Sequence, residues 1–312
     1  MSKKVLVTGA GGFIGANLVR ALLARGDEVH ILIRPESSHW RLAQIKKKLK
    51  FHNVQISDGV AVLKAIEDIQ PEQVFHLAHY GGNAGESDPG LIQKVVIGGT
   101  SALFEACGKV GSVRSIVSAG SSSEYGARRS VMKEKMVLEP NTLYGCAKAW
   151  ATLYGQYLAR EKNIPITTLR LFSVFGPWES PPRFMPSVIL SCLRNVAPKI
   201  TNPLLVRDFI FVDDVVRACL LTADNPHPGE VINIGFGQQM TLREAADIIL
   251  KSTGARVSIE VGGVGRSFDK TGIVWQANIS KAKKLLGWQP QFSQEEGIIK
   301  TVEWFNENKN LY

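Results

Sequence analysis

Thr8-Gly9-Ala10-Gly11-Gly12-Phe13-Ile14-Gly15 decides the fold. It follows Val5-Leu6-Val7, an apolar run of the length of a buried strand. It precedes Leu18, Val19, Leu22 and Leu23, which share one helical face. A glycine turn between strand and helix presents bare backbone N–H groups at a helix N-terminus, a site for a pyrophosphate. Gly9 is expected to allow the tight turn, Gly12 the close approach of phosphates, and Gly15 the packing of helix on strand.

The rest of the 312 residues suits one large domain or two lobes with a substantial core. Composition is ordinary for a soluble globular chain, with 45% hydrophobic and 21% charged residues. The net charge of +9 suits an anionic small substrate better than nucleic acid. The densest basic run, Lys46-Lys47-Lys48-Leu49-Lys50, lacks aromatic residues for base stacking and reads as a solvated helix end. Cys107, Cys146, Cys192 and Cys219 are far apart, which argues against a zinc ribbon or a disulfide-rich secreted domain. The N-terminal apolar run is too short for a signal peptide, and no run reaches the length of a membrane span. A reduced, cytoplasmic protein is expected, with neither nucleic acid nor membrane as partner.

Short apolar segments alternate with helical patterns. Strands are expected at 4–8, 28–33, 53–56, 73–78, 113–119 and 165–171, which implies an α/β parallel sheet covered on both faces. From Gly176 prolines 177, 181, 182 and 186 crowd the chain, reading as a loop-rich second lobe. A strand at 208–212 running into a helix from Asp214 and another at 231–234 are expected. Capping boxes begin two late helices, at Thr241 with Glu244 and at Ser293 with Glu296.

Tyr144-Gly145-Cys146-Ala147-Lys148 is the second strong signal. Positions i and i+4 share a helix face, so a phenol and an ammonium point into one site. A nearby cation favours the phenolate, and the tyrosine then works as acid or base near neutrality. Trp150, Leu153, Tyr154, Tyr157 and Leu158 form a stripe on the same helix that reads as core or subunit contact. Ser121-Ser122-Ser123-Glu124-Tyr125-Gly126 follows the fifth strand, where ligands of open α/β sheets sit. The hydroxyls of Ser121, Ser122 and Ser123 are expected to hold a substrate oxygen beside Tyr144. His76 and His79 have metal-ligand spacing, but His76 belongs to the buried strand, and no metal is expected. Asp213 and Asp214 read as acids at a helix N-terminus.

These pieces, with His76-Leu77-Ala78, Leu169 to Pro177, Arg207 to Asp214 and Lys284 to Trp288, resemble the extended short-chain dehydrogenases/reductases of the NAD-dependent epimerase/dehydratase family. The resemblance spans nearly the whole chain. It implies a Rossmann doubly wound sheet, residues 1–175, and a smaller C-terminal substrate-binding lobe, residues 176–312, with a partial return to the sheet around 208–236. It implies a catalytic triad of Ser121, Tyr144 and Lys148, and a homodimer pairing through helices at 98–108 and 144–160. It implies cofactor contacts from Gly9, Gly12, Phe13, Ile14, Gly15, Arg34, Ser37, Gln55, Ile56, Leu77, Ala78 and Phe172 together with Tyr144 and Lys148. Arg34 stands where NAD-specific members place an acid. With the serines after it, Arg34 better suits a 2′-phosphate, so NADP is favoured and NAD is the alternative.

Ser122 and Ser123 stand where 4,6-dehydratases of the dTDP-glucose type carry an Asp–Glu pair. Serines cannot do that acid–base work, and Glu124, one position away, is expected to be structural. Arg207 matches an arginine that pairs with a nucleotide-sugar diphosphate, and Arg266 resembles a second. Arg183 is expected near the sugar or nucleotide. Ser173 replaces an asparagine common in epimerases. The residues from Arg207 to Asp214 and the loop 183–186 are similar to CDP-abequose synthase and related reductases. The resemblance therefore implies an NADP-dependent oxidoreductase that reduces the 4-keto group of a nucleotide-diphosphate sugar. The alternatives are an NAD-dependent 4-epimerase of the UDP-galactose type and a non-catalytic sensor or scaffold.

Overall fold

The computed structural model describes residues 2–34, 36–82, 85–262 and 272–312. Seven strands form one parallel sheet: β1 (Lys4–Thr8), β2 (Glu28–Ile33), β3 (Lys50–Asn53), β4 (Gln73–His76), β5 (Ser115–Ser121), β6 (Ile166–Leu171) and, from late in the chain, Val231–Ile234. Their spatial order is β3-β2-β1-β4-β5-β6 with Val231–Ile234 outermost beside β6. That order reverses between β1 and β4, which opens a crevice at the carboxyl ends of those two strands. It is the doubly wound Rossmann arrangement.

The sheet is buried on both faces, which explains the near-continuous apolar reading of its strands. On one side α1 (Phe13–Arg25) packs Leu18, Val19 and Leu22 into the main core. On the other, α2 (Gly59–Ile69) and the helix over residues 89–109 enclose Leu6, Val74, Phe104 and Ile116. The 20-residue helix Leu143–Lys162 crosses this second face and carries the Tyr144–Lys148 segment in its first turns. Its Trp150, Tyr154 and Tyr157 rings are stacked in succession, and Leu153 and Tyr157 stay exposed.

The third strand lies three residues earlier than 53–56. Lys50–Asn53 pairs in register with His30–Ile33 at the sheet edge, where polar residues are tolerated and the apolar pattern fades. The basic run accordingly ends a 3₁₀ helix, Trp40–Lys48, and Lys50 opens the strand. The strand expected at 208–212 is Phe209–Phe211, which pairs with Ser173–Phe175. Its helix starts at Val212, two residues earlier than expected. Both late capping boxes form, and a third, Ser121 with Glu124, caps the short turn after β5. No helix among the described residues is long and apolar enough to cross a membrane.

Candidate active site

Everything converges on the carboxyl ends of β1, β4 and β5. Gly9 has φ +72, a conformation side chains disfavour, and a Cβ there would meet the backbone of Leu77 and Ala78 at 2.6 Å. A Cβ on Gly15 would collide with the carbonyl oxygen of Gly9. Gly12 is exposed and caps α1 without a side chain, and the first turn holds no acid. The leading N–H groups, Phe13 and Ile14 among them, therefore face outward with the positive end of the helix dipole.

The surroundings fit a dinucleotide. Gln55 Oε1, Ser57 Oγ and His39 Nδ1 are buried polar atoms with no protein partner, and all follow the carboxyl ends of β2 and β3. Ile56 is buried against Gly99, Leu77 is buried and Ala78 is half-buried. Arg34 is exposed just past β2. Ser37 Oγ donates to the Arg34 carbonyl at 2.9 Å, so this serine is committed to the turn. Phe172 lies deeper, buried with Tyr125, Met132 and Trp275.

Ser121, Tyr144 and Lys148 come together from β5 and the first two turns of Leu143–Lys162. Thr142 caps that helix, its hydroxyl accepting from the Gly145 N–H at 3.0 Å. The Ser121 hydroxyl stands close enough to the Tyr144 phenol to favour its ionised form, while Ser121 Oγ accepts from the Ser123 N–H at 3.2 Å. The buried Lys148 ammonium, however, donates to the carbonyl oxygen of Ala119 at 2.7 Å. Burial pushes Tyr144 up to about 12, while the Ser121 hydroxyl and the Arg183 charge favour the phenolate. Burial pulls Lys148 down to about 8, opposed by the charge of Glu124. The shared helix face is as expected. The direct support of phenolate by ammonium is not, because the lysine reaches the open carbonyl at the end of β5.

Glu124 is fully buried and structural. Its Oε2 accepts from Arg170 Nε at 2.9 Å and Nη2 at 2.7 Å, and its Oε1 from the Ser121 N–H at 2.7 Å. Ser122 is buried, while Ser121 and Ser123 are half-buried at the mouth of the site. His76 uses both ring nitrogens, on Thr8 Oγ1 at 2.8 Å and Thr100 Oγ1 at 2.9 Å. Among the described residues no three metal-ligating side chains gather.

Further out, Ser173 opens the strand beside Phe209–Phe211, and its N–H donates to the Asp208 carbonyl at 2.9 Å. Arg207 is half-buried with its guanidinium 5.2 Å from the Trp275 ring. Arg183 stands at the start of helix Phe184–Leu193, its charge within reach of Tyr144. Arg266 lies outside the described residues. Asp214 is a buried anchor whose carboxylate accepts from the N–H groups of Gln291 and Phe292. Sequence reasoning missed Glu179, a buried carboxyl 2.7 Å from Arg183 Nε. The only available signal was its i, i+4 spacing to that arginine.

Residues 5–235 match the model of the NAD dependent epimerase/dehydratase family. The chain is 30% identical over 318 residues to a UDP-glucuronate 4-epimerase of Thermodesulfobacterium geofontis (strain OPF15), covering 98% of this chain and 97% of that protein. The crystal structure of a UDP-glucose 4-epimerase with UDP-glucose from Thermotoga maritima matches with a TM-score of 0.90 at 30% identity, covering 99% of both chains. The UDP-glucuronic acid 4-epimerase of Bacillus cereus, in complex with UDP-glucuronic acid and NAD, matches with a TM-score of 0.84 at 26% identity, again over 99% of both. A family match over most of the chain and a shared fold over nearly all of it agree with the glycine turn and the Tyr144 helix: the chain belongs to the NAD-dependent epimerase/dehydratase family, within the extended short-chain dehydrogenases/reductases.

Proposed function

We propose that this protein is a 4-epimerase of a UDP-linked hexose working with bound NAD. The observation that carries the proposal is the convergence of Ser121 at the end of β5 with Tyr144 and the buried Lys148 of the helix Leu143–Lys162, at the strand ends that also hold the glycine turn. The end-to-end likeness to UDP-sugar 4-epimerases supports it. When bound, NAD supplies the acceptance of hydride from C4 and its return to the opposite face.

The chain's own residues do the remaining work. The N–H groups at the start of α1 hold the pyrophosphate, and Gln55 and Ile56 line the adenine side. Lys148, which donates to the Ala119 carbonyl, would hold the ribose hydroxyls of a bound dinucleotide. Tyr144 takes the proton of the C4 hydroxyl and later gives it back, with Ser121 holding the C4 oxygen. The burial that raises Tyr144 is offset once a cation lies beside the phenol. Arg207 anchors the diphosphate so that the sugar can turn while its nucleotide stays fixed. The exposed Leu153 and Tyr157 face of Leu143–Lys162 joins two subunits.

A second reading, an NADP-dependent 4-ketoreductase, is favoured by one observation, the exposed Arg34 at the end of β2. Following UDP-glucose by NMR with nicotinamide absorbance recorded in parallel separates the two. The epimerase interconverts C4 epimers with no net absorbance change. Stoichiometric loss of NADPH with a 4-keto sugar, and no epimer formed, overturns the first reading in favour of the second.

A further inference from the structure

We propose that Glu179 is a specificity-determining residue: by pairing with Arg183 it keeps that guanidinium from serving as a free carboxylate receptor beside Tyr144, and so selects a neutral hexosyl nucleotide over a hexuronate. The inference rests on the reading of the chain as a nucleotide-sugar enzyme.

Glu179 sits in a loop pinned to the dinucleotide turn. Trp178 before it has φ +70, and its carbonyl accepts from Arg41 Nε at 2.7 Å. The same guanidinium reaches Ser180 Oγ at 2.9 Å and the Gly11 carbonyl at 3.3 Å. Asn17 of α1 donates to the Pro177 carbonyl at 2.9 Å, and the Arg20 guanidinium lies 4.1 Å from the Trp178 ring. The loop thus fixes where the Glu179 carboxyl stands. That side chain is 3% exposed, whereas Arg183, whose Nε donates to Glu179 Oε1 at 2.7 Å, is 40% exposed. The buried acid holds the Nε edge of the guanidinium, while the rest of that group stays part-exposed and its charge is felt at Tyr144.

The charges around Tyr144 then balance. Glu124 is neutralised by Arg170, and Glu179 by Arg183. Lys148 is held at the Ala119 carbonyl. Glu86, whose Oε2 accepts from the Gly81 N–H, adds a negative field at the phenol. Glucose and glucuronate differ at C6, a hydroxymethyl against a carboxylate. A uronate would bring a second carboxylate to a guanidinium that already carries one, next to a Glu179 carboxyl that is 3% exposed. Burial raises the Glu179 carboxyl to about 7, opposed by Arg183, so its charge is fullest above neutrality. Discrimination against a uronate therefore grows as pH rises from 6 to 8.

Calorimetric titration of the full chain with UDP-glucose and with UDP-glucuronate at pH 8 tests this. The unmodified protein is expected to bind UDP-glucose at least tenfold more tightly. Glu179→Gln should tighten UDP-glucuronate about tenfold and leave UDP-glucose within threefold, and Glu179→Asp should retain most of the discrimination. If Glu179→Gln does not fold, the unmodified protein still decides, because its preference should shrink at least threefold at pH 6. Equal binding of the two sugars at pH 8, tighter binding of the uronate, or a preference unchanged in Glu179→Gln overturns the inference. Selective binding of UDP-glucose without epimerisation supports the inference and overturns the epimerase reading alone. Binding of neither overturns both.

Discussion

The Lys148 ammonium lies 2.7 Å from the Ala119 carbonyl oxygen and is buried. The carbonyl belongs to β5 and the lysine to the helix Leu143–Lys162, so the bond ties the two elements that carry Ser121 and Tyr144. Burial lowers this ammonium to about 8, and the Glu124 charge opposes that shift. The tyrosine one turn earlier is held in the opposite sense, its phenol kept protonated by the same burial. The site is thus built with a neutral phenol and an ammonium stored at the end of β5.

Removing the phenol isolates its role. Tyr144→Phe keeps the ring, which lies where a Cβ on Gly81 or Gly82 would touch it, but removes the group proposed to move the C4 proton. Turnover of UDP-glucose is expected to fall by a factor on the order of a hundred or more, with dinucleotide affinity within a few-fold. Steady-state kinetics with a parallel fluorescence titration of the cofactor checks both. Turnover within threefold of the unmodified protein would place the proton carrier elsewhere.

Glu124 and Arg170 make the most deeply buried ion pair described, with exposures of 0% and 2%. Glu124→Gln leaves the guanidinium without its counter-charge, at a cost of about 3–5 kcal/mol. Glu124→Gln with Arg170→Met should recover a large part of that loss, because no charge then remains uncompensated. Urea unfolding of the three proteins measures it. A single variant within about 1 kcal/mol of the unmodified chain would contradict the estimate.

What the sequence revealed follows from how local each feature is. The glycine turn and the Tyr144–Lys148 pair are spaced within one turn of chain, so residue type and periodicity suffice to read them. Glu124 was legible as structural, but its partner Arg170 stands 46 residues away on the next strand, and no local pattern links them. The third strand was misplaced because Lys50–Asn53 is a polar edge strand while Val54 and Ile56, just past it, supply the apolar signal. Arg41 joining Gly11 to Trp178 and Ser180 brings three distant segments together, which only the fold can do.

His76 gives the stability of the fold a pH dependence. Burial, with the Lys148 charge second, lowers its imidazole from 6.5 to about 3, while an unfolded histidine protonates near 6.5. The folded state therefore refuses a proton that the unfolded state accepts, and stability is lost as pH falls from 6.5 toward 3. The slope from one such group is about 1.4 kcal/mol per pH unit. Other buried acids titrate in the same range, so the readout is a difference between proteins. Between pH 6.5 and 5 the unmodified chain should lose about 2 kcal/mol more unfolding free energy than His76→Gln. Parallel pH slopes would show that His76 is not the group responsible.

Arg34 bears on the choice of dinucleotide. It stands exposed at the end of β2, where an acid would repel a 2′-phosphate and hold the ribose hydroxyls. Ser37 cannot take that second role freely, since its hydroxyl is bonded to the Arg34 carbonyl. The protein therefore places a cation where it attracts a 2′-phosphate, with the exposed acid Glu36 two residues further on opposing it. NAD and NADP are expected to bind within about tenfold of each other, the 2′-phosphate gaining from Arg34 roughly what a solvent-exposed charge pair supplies. Arg34→Asp should reverse that gain and add repulsion, weakening NADP by at least tenfold while NAD changes little. Raising salt should erode the NADP affinity of the unmodified chain more than its NAD affinity, because the contribution is electrostatic and exposed. Competitive titration at two salt concentrations measures all of these. If NADP binds the unmodified protein more than a hundredfold more weakly than NAD, Arg34 does not meet the ribose, and the ketoreductase reading loses the observation that favours it.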